Sequence, residues 1–238
     1  MTSKILHSLL FLLVFSFVNS THAQEVTSKK WDFEKIKGVR QLPYTYYDGS
    51  PYLTDTWVLG KIELEDGVII DSLHVRYSSY KDELVYYNKE VASQITIDKL
   101  SLKGFAFIGT DGSNHIFRKL YYDNFGKGYR YFEILSDGET KLLAYRKVSL
   151  DPSSPYMVEK GIMKNMVYNT DYTYYFYSPQ KGYTSVKMNK IALLSKFDKV
   201  SQKAIRKLLR KNRIWINGED NFIYAWKTIE KEGYKIVF

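Results

Sequence analysis

Hydrophobic and polar positions along the chain fall into three regimes. Residues 9–18 (LLFLLVFSFV) form an almost unbroken apolar run. From residue 57 onward, short β-prone runs alternate with turn residues. After Met188 the apolar spacing lengthens to that of a helix. In the middle regime, residues 57–77 (WVLGKIELEDGVIIDSLHVRY) hold two β-rich runs flanking Asp66-Gly67, a strong hairpin signal. In the second run Leu73, Val75 and Tyr77 alternate with His74 and Arg76, the period of a strand with one wet face. Further Asp-Gly pairs fall at Asp48-Gly49, Asp111-Gly112 and Asp137-Gly138, and glycine-containing breaks at residues 124–128 and 178–182. Turns this dense, with no helix-period stretch between them, predict a meandering antiparallel sheet, either a sandwich or a partly open barrel.

The third regime predicts two helices. Ser195 and Asp198 read as a capping box opening a helix that runs to about Asn212. At 100° per residue Phe197, Val200, Ala204, Ile205, Leu208 and Leu209 fill one half of its circumference. Lys199, Lys203, Arg206, Lys207, Arg210 and Arg213 fill the other half. After a linker over residues 214–218, a second helix is expected over residues 219–231. Phe222, Ile223, Trp226 and Ile229 make its apolar stripe, and Gly233 stops it. The fold class is therefore α+β and mainly β: an antiparallel β domain over residues 49–195 with a helical hairpin, residues 196–238, packed on it. Residues 24–48 show no sustained period and read as a leader.

The amino-terminal run fixes the expected compartment. Lys4 precedes it, and Asn19-Ser20-Thr21-His22-Ala23 follow, with Thr21 and Ala23 at the −3 and −1 positions of a signal-peptidase site. Spanning a bilayer takes roughly 20 residues, twice the length of this run. The expectation is a signal peptide over residues 1–23 and a mature chain starting at Gln24, exported to the periplasm or the outer membrane. No transmembrane helix is expected in that mature chain. With no cysteine, an exported chain must be held by packing rather than by disulfides. The net charge of +9 would suggest nucleic acid for a cytosolic protein, but export makes anionic surfaces and glycans the relevant partners.

Candidate chemistry is sparse. Beyond residue 23 only His74 and His115 remain, no HExxH, G-x-S-x-G or complete phosphate-loop pattern occurs, and no cofactor or metal site is expected. Both histidines read as plain surface residues. The most aromatic stretch, residues 171–178 (DYTYYFYS), places Tyr172, Tyr174 and Phe176 on one face and Tyr175 and Tyr177 on the other. The first three are the candidate ligand-binding residues, an aromatic platform for a glycan or peptide. The competing reading, favoured by the β-propensity of tyrosine, is a central strand covered on both faces. Lys203, Arg206 and Arg210 are the candidate contact with an anionic surface. The wide apolar stripe behind them makes their face a solvated one, leaving room only for a weak, salt-sensitive contact.

One stretch resembles a known group. Pro51-Tyr52-Leu53, Asp55, Trp57 and Gly60, followed by residues 73–78, resemble a motif in uncharacterised exported proteins of Bacteroidota-type bacteria. The "KNR" helix end and "EDNFIYAW" are similar to the carboxy-terminal end of that group. The resemblance implies an envelope location and no particular activity. The leading expectation is an exported, non-enzymatic envelope protein binding a partner protein or glycan. Two alternatives stand beside it: a small outer-membrane β-barrel, suggested by the terminal YKIVF, and a glycan hydrolase using a carboxylate pair.

Overall fold

Twelve strands and three helices follow one another along the described part of the chain. They are β1 (Gly38–Gln41), β2 (Tyr47–Asp48), β3 (Val58–Leu64), β4 (Ile69–Ser78), β5 (Glu83–Asn88), β6 (Ser93–Ile97), β7 (Leu102–Ile108), β8 (Asn114–Tyr122), β9 (Gly128–Ser136), β10 (Lys141–Leu150), β11 (Met166–Ser178) and β12 (Gly182–Val186). Helices α1 (Lys190–Leu194), α2 (Lys199–Lys211) and α3 (Glu219–Lys231) close it. The structure is a computed structural model, described over residues 36–43, 47–124, 126–152 and 166–238. The signal peptide, its cleavage site and the leader up to residue 35 lie outside the described residues.

The predicted meander is present as one open antiparallel sheet in the order β1-β6-β5-β4-β3-β7-β8-β9-β10-β11-β12, with β2 pairing parallel to β11. The hairpin at Asp66-Gly67 joins β3 to β4. Gly67 sits at φ 84°, a left-handed conformation that glycine adopts without penalty, and Leu64 N donates to Val68 O at 2.9 Å. Two strands fall within the region read as leader. β1 pairs with β6 over Gly38–Gln41, but it is exposed on both sides and so shows no alternation to detect.

Register determines what the sheet buries. Tyr77 of β4, Phe105 of β7, Phe117 of β8 and Tyr131 of β9 share one face and pack ring to ring, with centroids 4.6–6.3 Å apart. β9 and β10 pair only through Ser136, Ile134 and Glu133, then separate. The β4–β5 turn fills the split. Val148 N donates to Ser79 O (3.2 Å), Lys147 Nζ to Tyr80 O (2.5 Å) and Tyr131 N to Asp82 Oδ1 (3.3 Å). Asp82 is buried there, also accepting from Tyr77 Oη at 2.6 Å and pairing with Lys99 at 2.8 Å. Burial pushes its carboxyl above the usual aspartate range, partly offset by Lys99. The sheet is thus curled and pinned across its split, yet its edges at β1 and β12 stay separate.

The helical hairpin covers the same face of the sheet at the β10–β12 end. Leu142, Phe176 and Val186 from the strands meet Leu193, Leu194, Phe197, Ile205, Leu209, Phe222, Ala225, Trp226 and Ile229 from the helical layer. On the opposite face Tyr122, Phe132, Leu143 and Tyr175 form a second core. α3 spans the predicted residues. α2 differs at its start. Asp198 alone caps it, its Oδ1 accepting from Val200 N and Ser201 N at 2.9 and 3.0 Å. Ser195 instead ends the short α1, which Asn189 caps. Val200, placed on the apolar half by the helical wheel, is 81% exposed: it sits in the first turn of the helix, where neighbouring elements leave it uncovered. The terminal YKIVF forms no strand. Val237 N donates to Lys196 O and Ile236 is buried in the helical layer. Among the described residues no helix is long and apolar enough to cross a membrane.

Candidate functional site

Two arrangements meet on the face where α3 lands on the sheet. The first is a chain of polar groups running through the interior. Alternation places Glu133 on the buried phase of β9 with Tyr131, and Arg146 on that of β10 with Leu142, Ala144 and Val148. Arg146 is 5% exposed. Its Nε donates to Glu133 Oε2, while its two terminal nitrogens grip both oxygens of Glu219 at 2.7 and 2.6 Å. Glu219 stands in the first turn of α3, where the helix dipole favours a carboxylate. Tyr174 Oη donates to Glu219 at 2.7 Å, and the Tyr172 ring lies 4.8 Å from the guanidinium carbon. On the far side Glu133 Oε1 is 2.6 Å from His115 Nδ1, and His115 Nε2 is 2.8 Å from Ser113 Oγ. His115 is therefore part of this interior chain, not the plain surface residue its position after a turn suggested.

Ser113, His115 and Glu133 stand in the order of a nucleophile, base and orienting acid. The surroundings oppose that use. Ser113 Oγ lies 2.5 Å from Asp111 Oδ1, and its two hydrogen bonds hold the Asp111 carboxyl below its usual range. The Ser113 hydroxyl thus donates to Asp111, and its proton is not directed at His115 as a general base would require. A pair of carboxylates is also present, in Glu133 and Glu219. Burial raises the Glu219 pKa, but the Arg146 hydrogen bonds and charge outweigh it and hold the value below normal, so Glu219 stays ionised with no proton to give. What this chain of groups does is fasten the helical layer to the sheet.

That attachment should weaken in acid, since Glu219 titrates below its usual range. A carboxyl whose pKa is depressed by folding stabilises the fold above its unfolded value, and the contribution is lost as pH falls through the folded value. Glu219→Gln should therefore be less stable than the parent at neutral pH, and the gap should close once the pH is well below the ordinary value of 4.5. Urea unfolding at both pH values tests this, and a gap of constant size would exclude Glu219 as its source.

The second arrangement is a cavity of about 510 Å³ beside the first. β12 pairs with β11 only over Tyr174–Ser178, then turns away toward α1. The space so opened is lined by Tyr172, Thr173 and Tyr174 of β11, residues 185–188 at the end of β12, and Ala192, Ser195 and Lys196. Two of the three sequence-predicted aromatic residues, Tyr172 and Tyr174, thus face a cavity. Phe176, the third, is fully buried beneath the helices, with its ring 4.6 Å from that of Trp226. Burial, then Glu219, push the Tyr174 phenol up, so it remains a donor, and burial raises that of Tyr172 as well. Tyr172 Oη has no hydrogen-bond partner among the described residues. Lys187 and Lys196 add positive charge to the wall, Lys196 Nζ lying 3.1 Å from Thr184 Oγ1.

Lys203, Arg206 and Arg210 all lie exposed on the outer side of α2, away from the cavity lining. Among the described residues no group of three or more potential metal ligands comes together. No protein family, curated protein or solved structure matches the chain.

Proposed function

We propose that this is an exported envelope protein with a binding rather than a catalytic role, and that its ligand is an envelope glycan held in the Tyr172–Tyr174 cavity. The observation that carries this reading is the lining itself: two tyrosine side chains on one wall and two lysines on the other, in a space of about 510 Å³. Sugar rings present C–H faces that stack on aromatic rings and hydroxyls that bond to polar groups at their rims. The free Tyr172 hydroxyl, Ser185, Ser195 and the lysine ammonium groups supply that rim. Lysine also favours glycans that carry carboxylate or phosphate. Export is supported by the amino-terminal run and by the small-residue cleavage site that follows it.

Tyr172 is the position to change. Its ring lies over Arg146 without a hydrogen bond that would leave a buried partner unpaired. Tyr172→Ala should leave the fold intact and weaken binding of acidic cell-wall oligosaccharides by about 2 kcal/mol or more, as expected of an aromatic anchor. Calorimetric titration of both proteins against such fragments decides it. Equal affinity in the two would place the ligand elsewhere.

A further inference from the structure

The geometry of α2 points to a second surface, separate from the cavity and independent of its reading: a docking face for a phosphate-bearing lipid surface. Between residues 199 and 213 the chain carries seven lysines and arginines and no acidic residue, so most of the net +9 resides on one helix and its end. Ile205 and Leu209 are fully buried in the cluster that the helices share with strands β10–β12, which fixes the rotation of the helix. Lys199, Lys203, Arg206, Lys207, Arg210, Lys211 and Arg213 are all turned outward. None of them forms an ion pair among the described residues, whereas lysines and arginines of the sheet pair repeatedly, as Lys99, Lys103, Lys119 and Arg146 do. Arg210 and Lys211 complement the negative end of the helix dipole. The other five have no such local role.

The ends of this face say which polyanion it fits. Arg213 adopts φ 54°, and Ile214 N donates back to Leu209 O at 2.9 Å. That turn drives Ile214 into the core and leaves Trp215 outside, 79% exposed; at the other end Val200 is 81% exposed. A soluble polyanion gives an exposed indole at best one ring face to stack on, and does not take up its rings and its N–H together. The headgroup level of a bilayer does, because an indole places its rings against acyl carbon and its N–H against ester and phosphate oxygens. α2 cannot insert its apolar stripe, because Ile205 and Leu209 are already buried in the cluster shared with the strands. The contact is therefore a shallow electrostatic one, with Trp215 entering the headgroup layer beside the cations.

Vesicles of equal parts phosphatidylglycerol and phosphatidylcholine, vesicles of phosphatidylcholine alone, and soluble heparin distinguish the sources. The full-length protein should sediment with the anionic vesicles at about 0.01 M ionic strength, where the Debye length is about 30 Å, and be released at about 1 M, where it is about 3 Å. It should ignore the neutral vesicles. Lys203→Gln, Arg206→Gln and Arg210→Gln together should weaken vesicle binding by about two orders of magnitude, at about 1 kcal/mol per cation. Because all three are exposed, thermal unfolding should not change. Trp215→Ala should weaken vesicle binding several-fold and leave heparin binding as it was. Undiminished vesicle binding by the triple variant would overturn the assignment of the face. Undiminished vesicle binding by Trp215→Ala would overturn the lipid as its partner and leave a general polyanion surface. Failure of the wild type to sediment at low ionic strength would overturn both.

Discussion

Replacing Arg146 with methionine is expected to cost about 3–5 kcal/mol of folding stability, because one side chain neutralises two carboxylates that the fold has removed from water. Glu133 is 3% exposed, and Glu219 is half-buried where α3 meets the sheet. Without the guanidinium, the hydrogen-bond partners left among the described residues are the His115 ring for Glu133 and the Tyr174 hydroxyl for Glu219. The loss is then the cost of desolvated charge, not of a missing contact. The distinction can be measured. Adding Glu133→Gln and Glu219→Gln to Arg146→Met removes the stranded charges and should restore a large part of the stability. Urea midpoints at neutral pH, with an unchanged slope, report each step. If the single substitution cost less than about 1 kcal/mol, like an exposed ion pair, the network would not be what fastens the helices to the sheet.

Much of this network could have been read from alternation, had phase been followed as well as period. Tyr131, Glu133 and Leu135 share a phase on β9, and Leu142, Ala144, Arg146 and Val148 share one on β10. A charge in the apolar phase of each of two neighbouring strands, with opposite signs, is a signal for a buried pair. What the sequence does not carry is the third partner. Glu219 begins a helix 73 residues beyond Arg146, and only the docking of α3 brings them together. Part of the sheet order was legible for a related reason. The turns at Asp66-Gly67, Asp111-Gly112 and Asp137-Gly138 each join neighbouring strands, so those hairpins follow from local chemistry. Asp48-Gly49 instead lies at the end of β2, which pairs with β11, and the pairing of β3 with β7 spans three intervening strands. The split between β9 and β10, and the turn that fills it, depend on curvature and leave no local trace.

The aromatic face of β11 shows the same limit. Tyr172, Tyr174 and Phe176 share one side of the strand, as alternation requires, yet they end in three different settings. Tyr172 stands at the cavity wall over Arg146, Tyr174 is bonded to Glu219, and Phe176 lies beneath Trp226. The difference comes from where the helices cover the strand. Period reports a face, and only packing reports its depth along that face.

Trp226 marks the deepest point of that cover. It is 1% exposed, within van der Waals reach of Phe176, and part of the cluster that joins strands to helices. Trp226→Ala should cost about 3–5 kcal/mol, the sum of lost apolar burial and the cavity left behind. The indole Nε1 meets no acceptor among the described residues, so Trp226→Phe removes an uncompensated donor along with some volume. The phenylalanine variant should accordingly lose clearly less than the alanine variant. Thermal unfolding followed by far-ultraviolet circular dichroism, which does not depend on the indole as a reporter, gives both values. An alanine variant within about 0.5 kcal/mol of the parent would mean an exposed side chain, since surface substitutions fall in that range. It would also detach the helical layer from the sheet, and with it the wall of the cavity formed by α1 and the fixed outward face of α2.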